Sequence, residues 1–202
     1  MITIVDYGMG NLGSVSNMFK RIGAGSEITG DAERISKADK ILLPGVGAFD
    51  SAMQKINDSG LKEVLNRKAL QDKVPILGIC LGMQLLTKSS EEGVLPGLGW
   101  IDAKTIKFKF DDPKLKIPHM GWNLTYPQKK HPIIENLPDE PRFYFVHSYY
   151  VQTNNKDDIL ANTYYGLDFN SMVQHNNIIG AQFHPEKSHK FGMKLLENFA
   201  LL

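Results

Sequence analysis

The stretch Pro75-Ile76-Leu77-Gly78-Ile79-Cys80-Leu81-Gly82 carries a continuous apolar run into a turn flanked by glycines. An apolar run of this length, without polar alternation, is what a strand buried on both faces requires. Comparable runs stand upstream at Ile2–Val5 and at Lys40–Leu43, the latter ended by Pro44-Gly45, with a weaker one at Ser26–Thr29. Helical spacing fills the intervals. Leu12, Val15, Phe19 and Ile22 mark a helix from Asn11 to Ile22; Phe49, Met53 and Ile56 mark a second, and Leu61, Val64 and Leu65 a third. Asp31 suits the cap of a short helix between the second and third strands. This β-α-β-α order predicts a parallel sheet with helices on both faces.

The second half reads as strands with few helices: Thr105–Phe110, Trp122–Tyr126, Phe143–Val151, Ile159–Tyr164, Ser171–Gln174 and Ile178–Phe183. Turn signals at Asn154-Asn155 and Asn176-Asn177 separate some of them. A last helix over Lys190–Leu202 places Phe191, Leu195, Phe199 and Leu202 on one stripe. The expected fold is α/β, a mostly parallel central sheet with an antiparallel extension, in a single domain over residues 1–202.

Charge and composition narrow the function. The chain has 23 basic and 22 acidic side chains, a net charge of +1, which gives no general attraction to nucleic acid or to an anionic membrane. One cysteine excludes an internal disulfide and a cysteine zinc cluster. No apolar run reaches the roughly 18 residues of a membrane span. The opening MITIVDYG lacks the parts of a signal peptide. A cytoplasmic protein is expected.

Gly78-Ile79-Cys80-Leu81-Gly82 has the form of a nucleophile elbow, in which a strained strand-to-helix turn holds a nucleophile out at the strand end. A thiol needs a base. His184 follows the strand Ile178–Phe183, in a turn fixed by Pro185, and Glu186 stands two residues on to orient its imidazole. Pro44-Gly45-Val46-Gly47 ends another strand and suits an oxyanion-binding backbone. Gly8-Met9-Gly10-Asn11-Leu12-Gly13 is a literal G-x-G-x-x-G after the first strand, and Asp31 lies at the distance of a ribose-binding acid, so a dinucleotide site competes as a reading. Gly8, Gly47, Cys80 and His184 all follow predicted strands, the edge at which open parallel sheets bind ligands.

Gly78–Gln84 together with His184-Pro185-Glu186 resembles the class I (triad) glutamine amidotransferases, whose fold is flavodoxin-like. Asp6–Leu12, Pro118–Asn123, Phe143–Tyr149, Pro44–Phe49 and His184–Ser188 narrow the likeness to the glutaminase subunits of imidazole glycerol phosphate synthases. The resemblance implies a triad of Cys80, His184 and Glu186. It implies an oxyanion hole at Val46, Gly47 and Leu81, and glutamine binding by Gly47, Gln84, Glu92, His147, Ser148 and Tyr149. It also implies hydrolysis of glutamine to glutamate and ammonia without metal or cofactor. The partner it implies is a (β/α)8-barrel cyclase subunit, in a heterodimer, with Asn11, Trp122 and Lys187 at the interface and ammonia entry. On this reading the Asp6–Leu12 stretch serves the active site and the partner rather than a dinucleotide. A paralogous role, supplying ammonia to a sugar-nucleotide amidotransferase of surface polysaccharide synthesis, shares the same catalytic motifs.

Overall fold

The computed structural model describes all residues, Met1–Leu202. In the first half, β1 (Ile2–Val5), β2 (Ser26–Thr29), β3 (Lys40–Gly45) and β4 (Ile76–Cys80) alternate with α1 (Leu12–Arg21), α2 (Ala32–Ser36), α3 (Phe49–Asp58) and α4 (Leu61–Asn66). The short α5 (Leu81–Leu85) follows β4 without a break. The second half holds β5 (Ser89–Ser90), β6 (Ala103–Lys107), β7 (His119–Leu124), β8 (Tyr126–Pro127), β9 (Arg142–His147), β10 (Tyr149–Thr153), β11 (Ile159–Tyr164), β12 (Asp168–His175) and β13 (Ile178–Ala181). The helix α6 (His189–Leu201) closes the chain.

The main sheet runs β2-β1-β3-β4-β13-β12-β10-β6-β5, with β11 and β8 branching from β12. The β2, β1, β3, β4 and β13 neighbours are parallel, and pairing turns antiparallel from β13 to β6. Both faces of the parallel part are covered, which explains its unbroken apolar runs. Along β3, Ile41 and Leu43 join the core beneath α2–α5, whereas Leu42 joins the core beneath α1 and α6. Asp31 caps α2 as its position predicts, its carboxylate accepting from Glu33 N at 2.7 Å and Arg34 N at 3.1 Å.

Several strand ends shift by a few residues from the sequence reading, among them β7, which starts at His119 rather than Trp122, and two differences bear on the site. The run Phe143–Val151 is two strands split at Ser148. β9 pairs with β7 in a separate two-stranded sheet, while β10 joins the main sheet. Its continuous aromatic and β-branched character hides the break, because both parts are strand sequence and only their partner strands differ. The other difference is at Pro44, which continues β3 through Gly45. Ile41 N donates toward β4, at Pro75 O, so alternation turns Pro44 toward β1. The β1–β3 ladder has ended at Leu42, so the missing amide removes no ladder bond there. The Pro44 carbonyl instead accepts from the Tyr7 hydroxyl at 2.6 Å.

Candidate active site

The elbow exists because its neighbours are glycines. A Cβ on Gly82 would stand 1.8 Å from the Leu43 carbonyl oxygen, and one on Gly78 would stand 2.7 Å from the Gly82 carbonyl oxygen. Packed this closely, the chain turns at Cys80 with φ 53° and ψ −109°. This conformation costs a non-glycine residue about 1–3 kcal/mol and is held by the surrounding structure. Only 7% of Cys80 is exposed, at the carboxyl end of β4.

His184 and Glu186 meet as expected, with His184 Nδ1 and Glu186 Oε1 2.8 Å apart and both side chains buried. A carboxylate accepts only, so Nδ1 carries a proton and the ring is oriented. His184 Nε2 has no hydrogen-bond partner. The turn is fixed from behind: Ser188 Oγ donates to His184 O at 2.6 Å, and His184 N donates to Tyr144 O at 2.9 Å. Burial opposes charge on this imidazole, but the adjacent Cys80 sulfur and the Glu186 carboxylate outweigh it and raise its pKa to about 9.

A cleft of about 350 Å³ opens over Cys80 and His184. Val46, Gly47, Leu81, Gln84, Glu92, His147, Ser148 and Tyr149 all line it, so the residues singled out for oxyanion and glutamine contacts lie together. Gly47 has φ +111°, and a Cβ there would meet Met9 Cε at 2.6 Å. Glu92 turns one oxygen to Phe49 N, at 2.9 Å, at the start of α3. Asp50 holds the same loop by accepting from Val94 N at 2.9 Å and Leu95 N at 3.0 Å. Gln84 points inward, its Nε2 donating to Tyr149 O and Gln182 Oε1, each at 3.2 Å.

On one wall, His147 is backed by a second buried histidine, a pairing that the sequence does not announce. His119 and His147 are directly paired across β7 and β9. His147 Nδ1 lies 2.8 Å from Tyr149 O, so it is the protonated nitrogen, and His147 Nε2 accepts from His119 Nδ1 at 2.9 Å. His119 Nε2 then accepts from the Asn123 amide at 3.2 Å. Burial lowers the pKa of His119 to about 4 and, as the largest cause, that of His147 to about 3.

The residues expected at a partner surface are placed outside the cleft. Trp122 is half exposed and stacks on His189 at 5.4 Å. Lys187 Nζ lies 5.7 Å over the Tyr144 ring, which Trp122 flanks at 6.4 Å. Asn11 is the N-cap of α1. The G-x-G-x-x-G loop packs on the end of β3: a Cβ on Gly10 would touch Pro44, and Gly47 abuts Met9. Asp31 spends its carboxylate on the α2 cap, accepting from Glu33 N and Arg34 N. Tyr7, Pro118 and Gln182 also belong to the site's surroundings, and the sequence reading gave none of them a role. The signal available for Gln182 is a polar residue closing an otherwise apolar strand run, Ile178–Phe183.

Comparison with known proteins agrees with this geometry. The profile of the family described as "Glutamine amidotransferase class-I" matches residues 3–202. The chain is 59% identical over 199 residues to a protein of Methanococcus maripaludis named "Imidazole glycerol phosphate synthase subunit HisH 2", covering 98% of each chain. It is 50% identical to a protein of the same name from Pseudomonas aeruginosa, over the full length of both. A protein of Bdellovibrio bacteriovorus named "Imidazole glycerol phosphate synthase subunit HisH" is 48% identical over 99% of both. A solved structure described as a glutamine amidotransferase superposes over all of both chains with TM-score 0.74 at 17% identity, a likeness of fold.

Proposed function

The chain belongs to the class-I glutamine amidotransferase family, and on that premise we propose that it is the glutaminase subunit of an imidazole glycerol phosphate synthase, serving histidine biosynthesis. The observation that carries the reading is the convergence of a strained elbow cysteine and a buried His184–Glu186 pair over one cleft. The full-length relatives named as subunits of that synthase support the choice of pathway.

The Cys80 thiolate attacks the side-chain amide carbon of glutamine, forming a C–S bond and moving the carbonyl pair onto oxygen. Backbone N–H groups of Leu81 and of the Val46-Gly47 loop receive the oxyanion. Ammonia leaves with a proton from His184 Nε2, whose raised pKa keeps it charged at neutral pH. Neutral His184 then takes a proton from water, the hydroxide attacks the thioester, and glutamate departs as the thiolate is restored. Glu186 fixes the ring throughout. In the cleft, Glu92 is the carboxylate for the substrate ammonium, while Gly47 and the His147-Ser148-Tyr149 turn hold the rest of the molecule.

Ammonia is largely protonated in neutral water and then has no nucleophilic pair, so a synthase gains by direct transfer. The acceptor in this reading is a (β/α)8-barrel cyclase that docks on the surface carrying Asn11, Trp122 and Lys187. Glutamate release assayed with such a cyclase present tests the proposal. Wild-type protein releases glutamate; Cys80→Ala and His184→Ala do not. Retained release in either variant overturns the assignment.

A further inference from the structure

Besides the adjacent His184, the Cys80 sulfur has a hydrogen-bond donor outside the triad: Gln182 Nε2, at 3.8 Å. Gln182 is fully buried, so its amide has no water to satisfy it. An amide can turn either its N–H₂ or its carbonyl toward a sulfur. The first stabilises a thiolate and the second repels it.

Hydrogen-bond direction decides between them. The Tyr149 carbonyl only accepts, so the Gln84 atom 3.2 Å from it is the amide nitrogen. The same nitrogen lies 3.2 Å from Gln182, and a donor requires an acceptor there, so the Gln182 oxygen faces Gln84. Its nitrogen is left facing the sulfur. The Tyr149 carbonyl that starts this chain is itself fixed by a second donor, His147 Nδ1, at 2.8 Å. The Tyr7 hydroxyl, also near Cys80, is committed to the Pro44 carbonyl at 2.6 Å.

We propose that Gln182 stabilises the Cys80 thiolate by N–H donation, and that Gln84 is a positioning residue holding the Gln182 amide in the donating orientation. This rests on Cys80 being the nucleophile and extends that reading to how its charged form is maintained. Neutral amides suit the task, because they favour the thiolate without adding a charge next to the His184–Glu186 pair.

Iodoacetamide alkylation of the lone thiol, followed against pH in the full-length chain, tests the proposal. Gln182→Met keeps the volume and removes the donor; the alkylation midpoint moves alkaline by about one pH unit. Gln84→Met frees the Gln182 amide to turn and moves the midpoint the same way by less. Unchanged midpoints in both variants overturn the proposal. If Gln182→Met does not fold, Gln84→Met decides alone: an alkaline shift supports the chain and an unchanged midpoint overturns it. Failure of the nucleophile reading is distinct, since Cys80→Ala would then still hydrolyse glutamine whatever the alkylation profiles show.

Discussion

The histidine pair behind the cleft makes the fold sensitive to acid in a way that one substitution isolates. In His119→Gln, a side-chain amide can still donate to His147 Nε2 and accept from Asn123, so the chain of hydrogen bonds has a route to survive. What disappears is a proton site. His119 is 3% exposed and burial holds its pKa at about 4, against an ordinary value of 6.5. Between those values the unfolded chain binds a proton that the folded chain refuses. His119 therefore destabilises the fold progressively as pH falls below 6.5, and contributes nothing to the pH slope well above it. One unit below 6.5 the loss is about 1.4 kcal/mol. Urea unfolding of wild type and variant at about pH 7.5 and about pH 5.5 measures the difference. Whatever stability His119→Gln loses at the higher pH, that loss is smaller by about 1.4 kcal/mol at the lower pH, because the variant lacks the titrating group. Because wild type and variant are compared at each pH, the opposite trend from His184, whose pKa is raised, cancels. An equal loss at both pH values refutes the claim that His119 is held neutral.

Gly82→Ala drives a methyl to within 1.8 Å of the Leu43 carbonyl oxygen and forces β3 and the elbow apart. Thermal unfolding should show a loss of several kcal/mol, with glutamine hydrolysis abolished in whatever protein folds. Asp50→Ala frees the amides of Val94 and Leu95, two and three residues past Glu92. Steady-state kinetics should show KM for glutamine rising about fivefold with kcat nearly unchanged, as about 1 kcal/mol of positioning is lost from the binding loop rather than the triad.

Much of this was readable from residue types because buried parallel strands leave a plain trace. Ile2–Val5, Ile41–Leu43 and Ile76–Ile79 place apolar side chains on both faces because helices cover both faces. The elbow was legible for a steric reason: Gly78 and Gly82 stand where any Cβ would collide. The break at Ser148 was not, because both halves of Phe143–Val151 are aromatic and β-branched strand sequence and only the partner strands differ. Nor was the length of β3, since a proline normally ends a central strand and here faces a ladder that has already stopped. The G-x-G-x-x-G motif shows the limit of spacing alone. Its glycines serve a loop packed on the β3 end, and Asp31 is a helix cap. The charge states of His119 and His147, and the orientation of Gln182, depend on burial and on which donor meets which acceptor. Those follow from packing across residues far apart in the chain.

In the proposed mechanism Cys80 carries the γ-glutamyl group. Acid quenching of the protein during turnover of isotopically labelled glutamine, with the barrel cyclase present, traps the intermediate for peptide mass analysis. The expected result is label on the peptide containing Cys80, as a thioester labile to hydroxylamine, and none in His184→Ala. Labelled glutamate formed with no adduct on Cys80, or an adduct at another residue, contradicts it.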